Sequence, residues 1–196
     1  MAVVFDDILV KGVRQGQIPA RTQDARDWFR NKARSTRSSN AYPNNILDDS
    51  KKQRSVSPGS MYHFLYDPKM KKELPYYDRF PLIFMVESAK DGFYGINLHY
   101  LPPKLRAVLM DALYKISNNK RYDETTRLRL SYDTLKGASR FRFFKPTFKK
   151  YLNKHVRSQF VEIKSVEWDI ALFLPTERFE KASKSRVFAD SRKMIR

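Results

Sequence analysis

The hydrophobic positions along this chain change period several times, and each change marks an element. Near the start, Phe5, Ile8 and Leu9 fall on one face of a short helix within residues 1–18, with Gly12 or Gly16 to stop it. Pro19 resets the chain. Residues 21–34 return to a helical period, with Thr22 or Asp24 as cap and Ala25, Trp28 and Phe29 facing inward. From Ser35 to Gly59 large apolar residues thin out, and Ser, Asn, Lys, Arg and Pro take over. That is the composition of a linker, or of an arm that orders only against another surface.

The period then shortens. Met61 to Tyr66 reads as a strand ending at the Asp67-Pro68 turn. Phe80 to Val86 is apolar almost throughout, which suits a strand buried on both faces, and Pro81 confines it to an edge or a strand start. Asp91-Gly92 signals a hairpin, with a return strand from Gly92 through Leu98. Pro102-Pro103 opens the clearest helix, because the first-turn N–H groups have no helical partner to lose. Leu105, Val108, Leu109, Ala112, Leu113 and Ile116 follow at helical spacing, Lys104, Arg106, Asp111 and Lys115 fall mostly opposite, and Asn118-Asn119 ends it. Residues 124–135 fit a helix or an alternating strand. Lys145-Pro146 predicts a basic helix over 147–156, Gln159–Leu174 a strand pair or one long strand, and Glu177–Lys184 a closing helix. No internal repeat is present. The expected fold is α+β: a small curved β-sheet or barrel with C-terminal helices, preceded by a helical and extended basic arm. The boundary is expected after residue 57, giving an arm over 1–57 and a core domain over 58–196.

With 41% apolar and 14% aromatic residues the chain can bury a real core, so it is not a disordered basic tail. Cysteine is absent, which excludes disulfides and thiolate zinc sites. No apolar run approaches the roughly 20 residues of a membrane span, and the N-terminus is too short and acidic for a signal peptide. An intracellular soluble protein, or one assembled into a particle inside a cell, is expected.

Charge narrows the partner. The net charge is +18, and residues 136–196 alone hold 16 basic and 6 acidic groups, more than half of the surplus. From Lys136 to Val161 there is no carboxylate, while Lys136, Arg140, Arg142, Lys145, Lys149, Lys150, Lys154 and Arg157 alternate with Phe141, Phe143, Phe144, Phe148, Tyr151 and Phe160. A surface that excludes one sign of charge sets up a standing field that a polyanion neutralises. The rings at helical spacing are expected to face the core and the cations to face phosphate. Neutralising about six phosphates predicts a log–log salt slope near −5 on duplex DNA. Lys181, Lys184 and Arg186 either extend this surface or belong to a frayed terminus. The expected DNA-binding set is therefore Arg140, Arg142, Lys145, Lys149, Lys150, Lys154, Arg157, Lys181, Lys184 and Arg186.

Other chemistry is thin. Glu162 and Lys164 have the Glu-x-Lys spacing of one metal-dependent nuclease class, which needs an upstream carboxylate such as Asp78 or Asp91 that the sequence does not place beside them, so an exposed alternating strand is expected. His63, His99 and His155 lack metal-ligand spacing, and His99 is expected to be a satisfied structural histidine. No phosphate-cradling glycine loop or nucleophile elbow is present. No catalytic residue, metal site or small-molecule cofactor is expected. Leu74–Pro81 and Tyr94–Pro103 are rich in rings and prolines, which suits a rigid platform or docking surface for another protein.

Several runs carry a family resemblance: DDILVKGVRQGQIPARTQDARDWFR, MYHFLYDPKMKKELPYYDRFPLIF, DGFYGINLHYLPPKLRAVLMDALY, KHVRSQF and EWDIALFLPTERFEKAS. Together they make the chain, outside residues 35–58, resemble small virion proteins of T-even-type tailed phages, of the kind labelled DNA end protector. The resemblance implies a non-catalytic virion protein that shields packaged DNA termini from host exonuclease. Its expected partners are double-stranded DNA or DNA ends and other phage virion proteins, without a membrane. Its expected location is the virion, with the host cytoplasm during assembly. Phe141 or Phe143 would then cap a terminal base pair. The alternative is a structural subunit of the neck, tail tube or baseplate hub with no direct DNA role. The resemblance brings no catalytic motif.

Overall fold

The computed structural model describes residues 4–16, 23–36, 41–47, 52–116 and 142–196. Residues 124–135, Arg140 and Phe141 lie outside these, so the expectations placed on them have no structural counterpart here. The described residues form an α+β fold with seven helices and a six-stranded antiparallel sheet.

The sheet is built from β1 (Lys52–Gln53), β2 (Met61–His63), β4 (Leu82–Ala89), β5 (Gly92–Asn97), β6 (Phe148–Leu152) and β7 (Phe160–Ile163), in the order β1-β7-β2-β4-β5-β6. β3 (Tyr77–Asp78) and β8 (Phe179–Glu180) pair separately. The sheet is open: β1 and β6 are its two edges, so the barrel alternative does not hold. The Asp91-Gly92 hairpin and the two-sided burial of β4 are as the sequence predicts. Leu82, Phe84 and Val86 enter one core, while Ile83 and Met85 enter the other.

Helices cover the first face. α1 (Val4–Arg14) and α2 (Gln23–Ser35) send Phe5, Ile8, Ala25, Phe29 and Ala33 into the same core as α4 (Pro103–Ile116) and α6 (Trp168–Phe173). α1 runs through Gly12 and stops at Gly16, whose φ of 73° suits glycine. Gly12 instead permits close approach, since an added Cβ would sit 2.7 Å from Phe29 Cε1. Arg26 on α2 clamps the layer, reaching Asp111 of α4 at 2.9 Å and Asp169 of α6 at 3.3 Å. Within the linker-like stretch, α3 (Pro43–Leu47) buries Ile46, and β1 pairs with β7. The second face carries a compact ring cluster of Tyr62, Phe64, Tyr66, Phe93, Tyr151 and Phe160. Edge-to-face pairs such as Phe64–Tyr151 at 5.3 Å let each ring edge meet a neighbour's face.

Four expectations need correction. The basic helix over 147–156 is instead a single turn, α5 (Phe144–Thr147), followed by strand β6 and a 3-10 turn over Asn153–His155. Phe148 and Tyr151 fit a helical face on spacing alone, yet they pack into opposite cores across the sheet. The pairing is possible because β5 offers glycine opposite β6, with Gly92 facing Leu152 and Gly95 facing Lys149. Residues 159–174 hold one strand, β7, and then helix α6, because Trp168, Ile170, Ala171 and Leu172 are buried together and not in alternation. The closing helix is α7 (Lys184–Ile195), capped by Ser183, and residues 177–184 contain β8. In α4, Arg106 is fully buried and Val108 exposed, so the helix is rotated from its expected setting. Arg106 is held there by the Leu101 and Leu172 carbonyls and by Glu177.

Candidate nucleic-acid interface

The acid-free segment becomes a continuous ribbon from α5 along edge strand β6 and through the 3-10 turn to Arg157. Its described rings face inward: Phe143, Phe144 and Phe148 pack on the helical core, and Tyr151 and Phe160 sit in the ring cluster. Phe143 is thereby committed to packing. Successive strand residues point to opposite faces, so Lys149 shares the side of Tyr151 and Lys150 the side of Tyr94.

The cations divide into three groups. Arg142, Lys145 and Lys154 are exposed, and among the described residues none of them makes an ion pair. Lys149 is half-buried, with its Nζ 4.5 Å from the centre of the Tyr100 ring. Burial holds its ammonium below the ordinary lysine range, and no carboxylate among the described residues compensates. The ring face supplies a cation–π contact in its place. Lys150 and Arg157 meet carboxylates that the fold brings from elsewhere, Asp91 at 2.7 Å and Asp67 at 3.9 Å. These two pairs are solvent-exposed, and Asp67 is shared with Lys71, so the local sign stays positive. Exposed pairs of this kind contribute little and exchange readily for phosphate.

In the second basic group each of the three expected cations has an internal contact. Lys181 Nζ donates to the Lys72 and Leu74 carbonyls and fixes that loop. Lys184 reaches Glu177 at 3.1 Å, and Arg186 pairs with Asp190 along α7 at 2.9 Å.

Sequence reasoning did not find a buried polar network behind β6. Asp78 accepts from His99 Nδ1 at 2.7 Å, Asn97 Nδ2 at 3.2 Å, and the backbone N–H groups of Phe80 and Arg178. His99 Nε2 lies 2.8 Å from Thr176 Oγ1, and Asn97 also donates to the Tyr151 hydroxyl at 3.0 Å. The order hydroxyl, imidazole, carboxylate is that of a hydrolytic triad. Thr176 and His99 are each 0% exposed, however, so no substrate can reach the hydroxyl. His99 is the satisfied structural histidine expected from its setting. Glu162 is half-buried and bonded by Gln53, and Lys164 is exposed just past the strand end. Among the described residues no His, Asp and Glu gather as a metal site, and no helix is long and apolar enough to cross a membrane.

In front of the network, β6 walls a cavity of about 310 Å³. Both ring-rich stretches noted in the sequence reach it, through Tyr76, Tyr77, Asn97 and Tyr100, and Lys145, Lys149 and Lys150 supply its cations.

Fold and surface together define a small basic α+β protein that presents cations along the edge of an open sheet. The chain belongs to the family described as Phage T4 terminal DNA protecting protein, whose family model matches residues 9–195. It is thus a phage protein of a family that protects DNA ends. No curated protein and no solved structure shows a significant match.

Proposed function

We propose that the protein is a non-catalytic component of the virion that binds the ends of the packaged duplex through the ribbon from Arg142 to Arg157. Three features support this reading. Family membership supplies the class of partner. Arg142, Lys145, Lys149 and Lys154 have no carboxylate partner among the described residues, so phosphate completes them without breaking an internal pair. The described rings along the ribbon are spent on packing, so binding by these residues rests on phosphate and tolerates any terminal sequence. The observation that carries the proposal is that Arg142, Lys145 and Lys154, on the segments flanking edge strand β6, are exposed and make no ion pair among the described residues.

Assembly onto DNA inside the host cytoplasm, next to other virion proteins, follows from the same reading. The test is digestion of a linear duplex by a processive exonuclease. Saturating protein should preserve full-length DNA, and the Lys145→Glu/Lys154→Glu double variant should lose most of that protection while keeping its fold. Unchanged digestion by the wild-type protein at saturation would overturn the proposal.

A further inference from the structure

We infer that the cavity beside β6 takes the terminal nucleotide of the DNA end, its base against Tyr76 and its phosphate at Lys145 and Lys150. The inference rests on the end-binding reading above and adds how an end is told from the interior.

The cavity's 310 Å³ falls in the range of about 300–1,000 Å³ typical of small-ligand sites, enough for one nucleotide and far too small for a duplex. Its walls pair flat rings with cations. The Tyr76 and Tyr100 rings lie 6.1 Å apart and tilted by 39°, and Lys149 covers the Tyr100 face. Tyr76 is half-buried, Lys145 is exposed at the rim without an ion pair among the described residues, and Lys150, also exposed there, carries Asp91 at 2.7 Å in a solvent-exposed pair that an incoming phosphate would have to displace. The one carboxylate in the lining, Asp78, already accepts four bonds from the buried network, so it has no call on an incoming donor. A planar group joined to an anion is the ligand that these walls complement.

Geometry restricts such a ligand to the end of a strand. A base inside a duplex is held by stacking on both sides and by its pair, and extruding it breaks all of these contacts. A terminal nucleotide has one neighbour and frays, so it reaches a pocket at much lower cost. Stacking on an aromatic side chain then gives preference to ends without regard to sequence, since every base has a π face.

The experiment uses two duplexes of one length, one with open ends and one closed at both ends by hairpin loops, and the fluorescent base 2-aminopurine placed at a terminal or a central position. Wild-type protein should favour open ends by about 10-fold. It should change the emission of the terminal probe and leave the central probe unaltered. Tyr76→Ala should abolish both the preference and the signal while affinity for the closed duplex stays. Tyr76→Phe, which keeps the ring, should retain both. Tyr76→Leu, which keeps bulk but removes the π face, should lose the preference as well and serves as the second variant if Tyr76→Ala misfolds. Equal affinity for open and closed duplexes, with a silent terminal probe, overturns the pocket assignment and leaves DNA binding intact. Failure to bind either duplex overturns the end-binding reading and the pocket with it.

Discussion

The His99 imidazole donates through Nδ1 to the Asp78 carboxylate at 2.7 Å, with both side chains out of contact with water. Asp78 thereby becomes the junction of the fold. Its two oxygens also take the Phe80 and Arg178 N–H groups and the Asn97 amide, which joins β3 to β5, β4 and the approach to β8. A buried carboxylate that satisfies four donors is costly to remove, because each donor is left without a partner. Asp78→Ala is expected to lower stability by about 3–5 kcal/mol, read by urea unfolding. Thr176→Val removes one hydrogen bond at the far side of His99 and should cost only about 1–2 kcal/mol. Equal effects from the two variants would place the junction elsewhere.

Glu177 gives the fold its acid sensitivity. Burial pushes its carboxyl up, but the Arg106 guanidinium, with His99 and Lys184, overrides that and holds it down at about 2 from an ordinary 4.5. A depressed folded-state pKa contributes stability that is complete above pH 4.5 and lost as pH falls toward 2. The contribution is about 3 kcal/mol. Thermal unfolding followed from pH 6 to roughly pH 2 should show this loss. Glu177→Gln should flatten that part of the profile and, at neutral pH, destabilise the protein by about 3–5 kcal/mol, because Arg106 remains buried and unpaired. A variant with the wild-type pH profile would refute the assignment.

Gly92 controls whether β6 can dock. A Cβ added there would overlap the Tyr151 carbonyl oxygen, which is backbone and cannot rotate away. Gly92→Ala should therefore cost roughly 2–4 kcal/mol and loosen the edge strand. Amide hydrogen exchange should report the loss of protection first at Phe148–Leu152, while α2 and α6 keep theirs.

Asp91 tests whether the exposed pairs on the ribbon are reserves for phosphate. The Lys150 side chain holds the Asp91 carboxyl below its usual range through a direct hydrogen bond. Asp91→Asn frees Lys150, so DNA affinity should rise about 2–3-fold at low salt and the salt slope should steepen by up to about 1. Weaker binding by Asp91→Asn would mean that the pair orients Lys150 for its task.

Much of this architecture was legible in the residues, and the remainder was hidden for identifiable reasons. Leu82–Val86 announced a strand buried on both faces because every position is apolar, and α4 announced itself through Pro103 and its period. β6 did not, because Phe144, Phe148 and Tyr151 satisfy a helical face equally well, and the deciding partner is a glycine pair on another strand. The buried setting of Arg106 was invisible, since the sign of a residue normally places it outside, and its neutraliser Glu177 lies far along the chain. The acid-free run located the cations of β6 and of the segments on either side of it. It carried no information about Asp67 and Asp91, which folding brings against Arg157 and Lys150. The two ring-rich stretches hinted at a platform, but only the fold puts Tyr76 and Tyr100 in one cavity with Lys149.

The central claim is that the ribbon from Arg142 to Arg157 meets phosphate, and the salt dependence of binding to a linear duplex measures this most directly. With about six phosphates engaged, log Kobs should fall with log salt at a slope near −5, and Lys145→Glu/Lys154→Glu should make that slope shallower by about 2. A wild-type slope shallower than about −1, or a slope that the double variant leaves unchanged, would contradict the account.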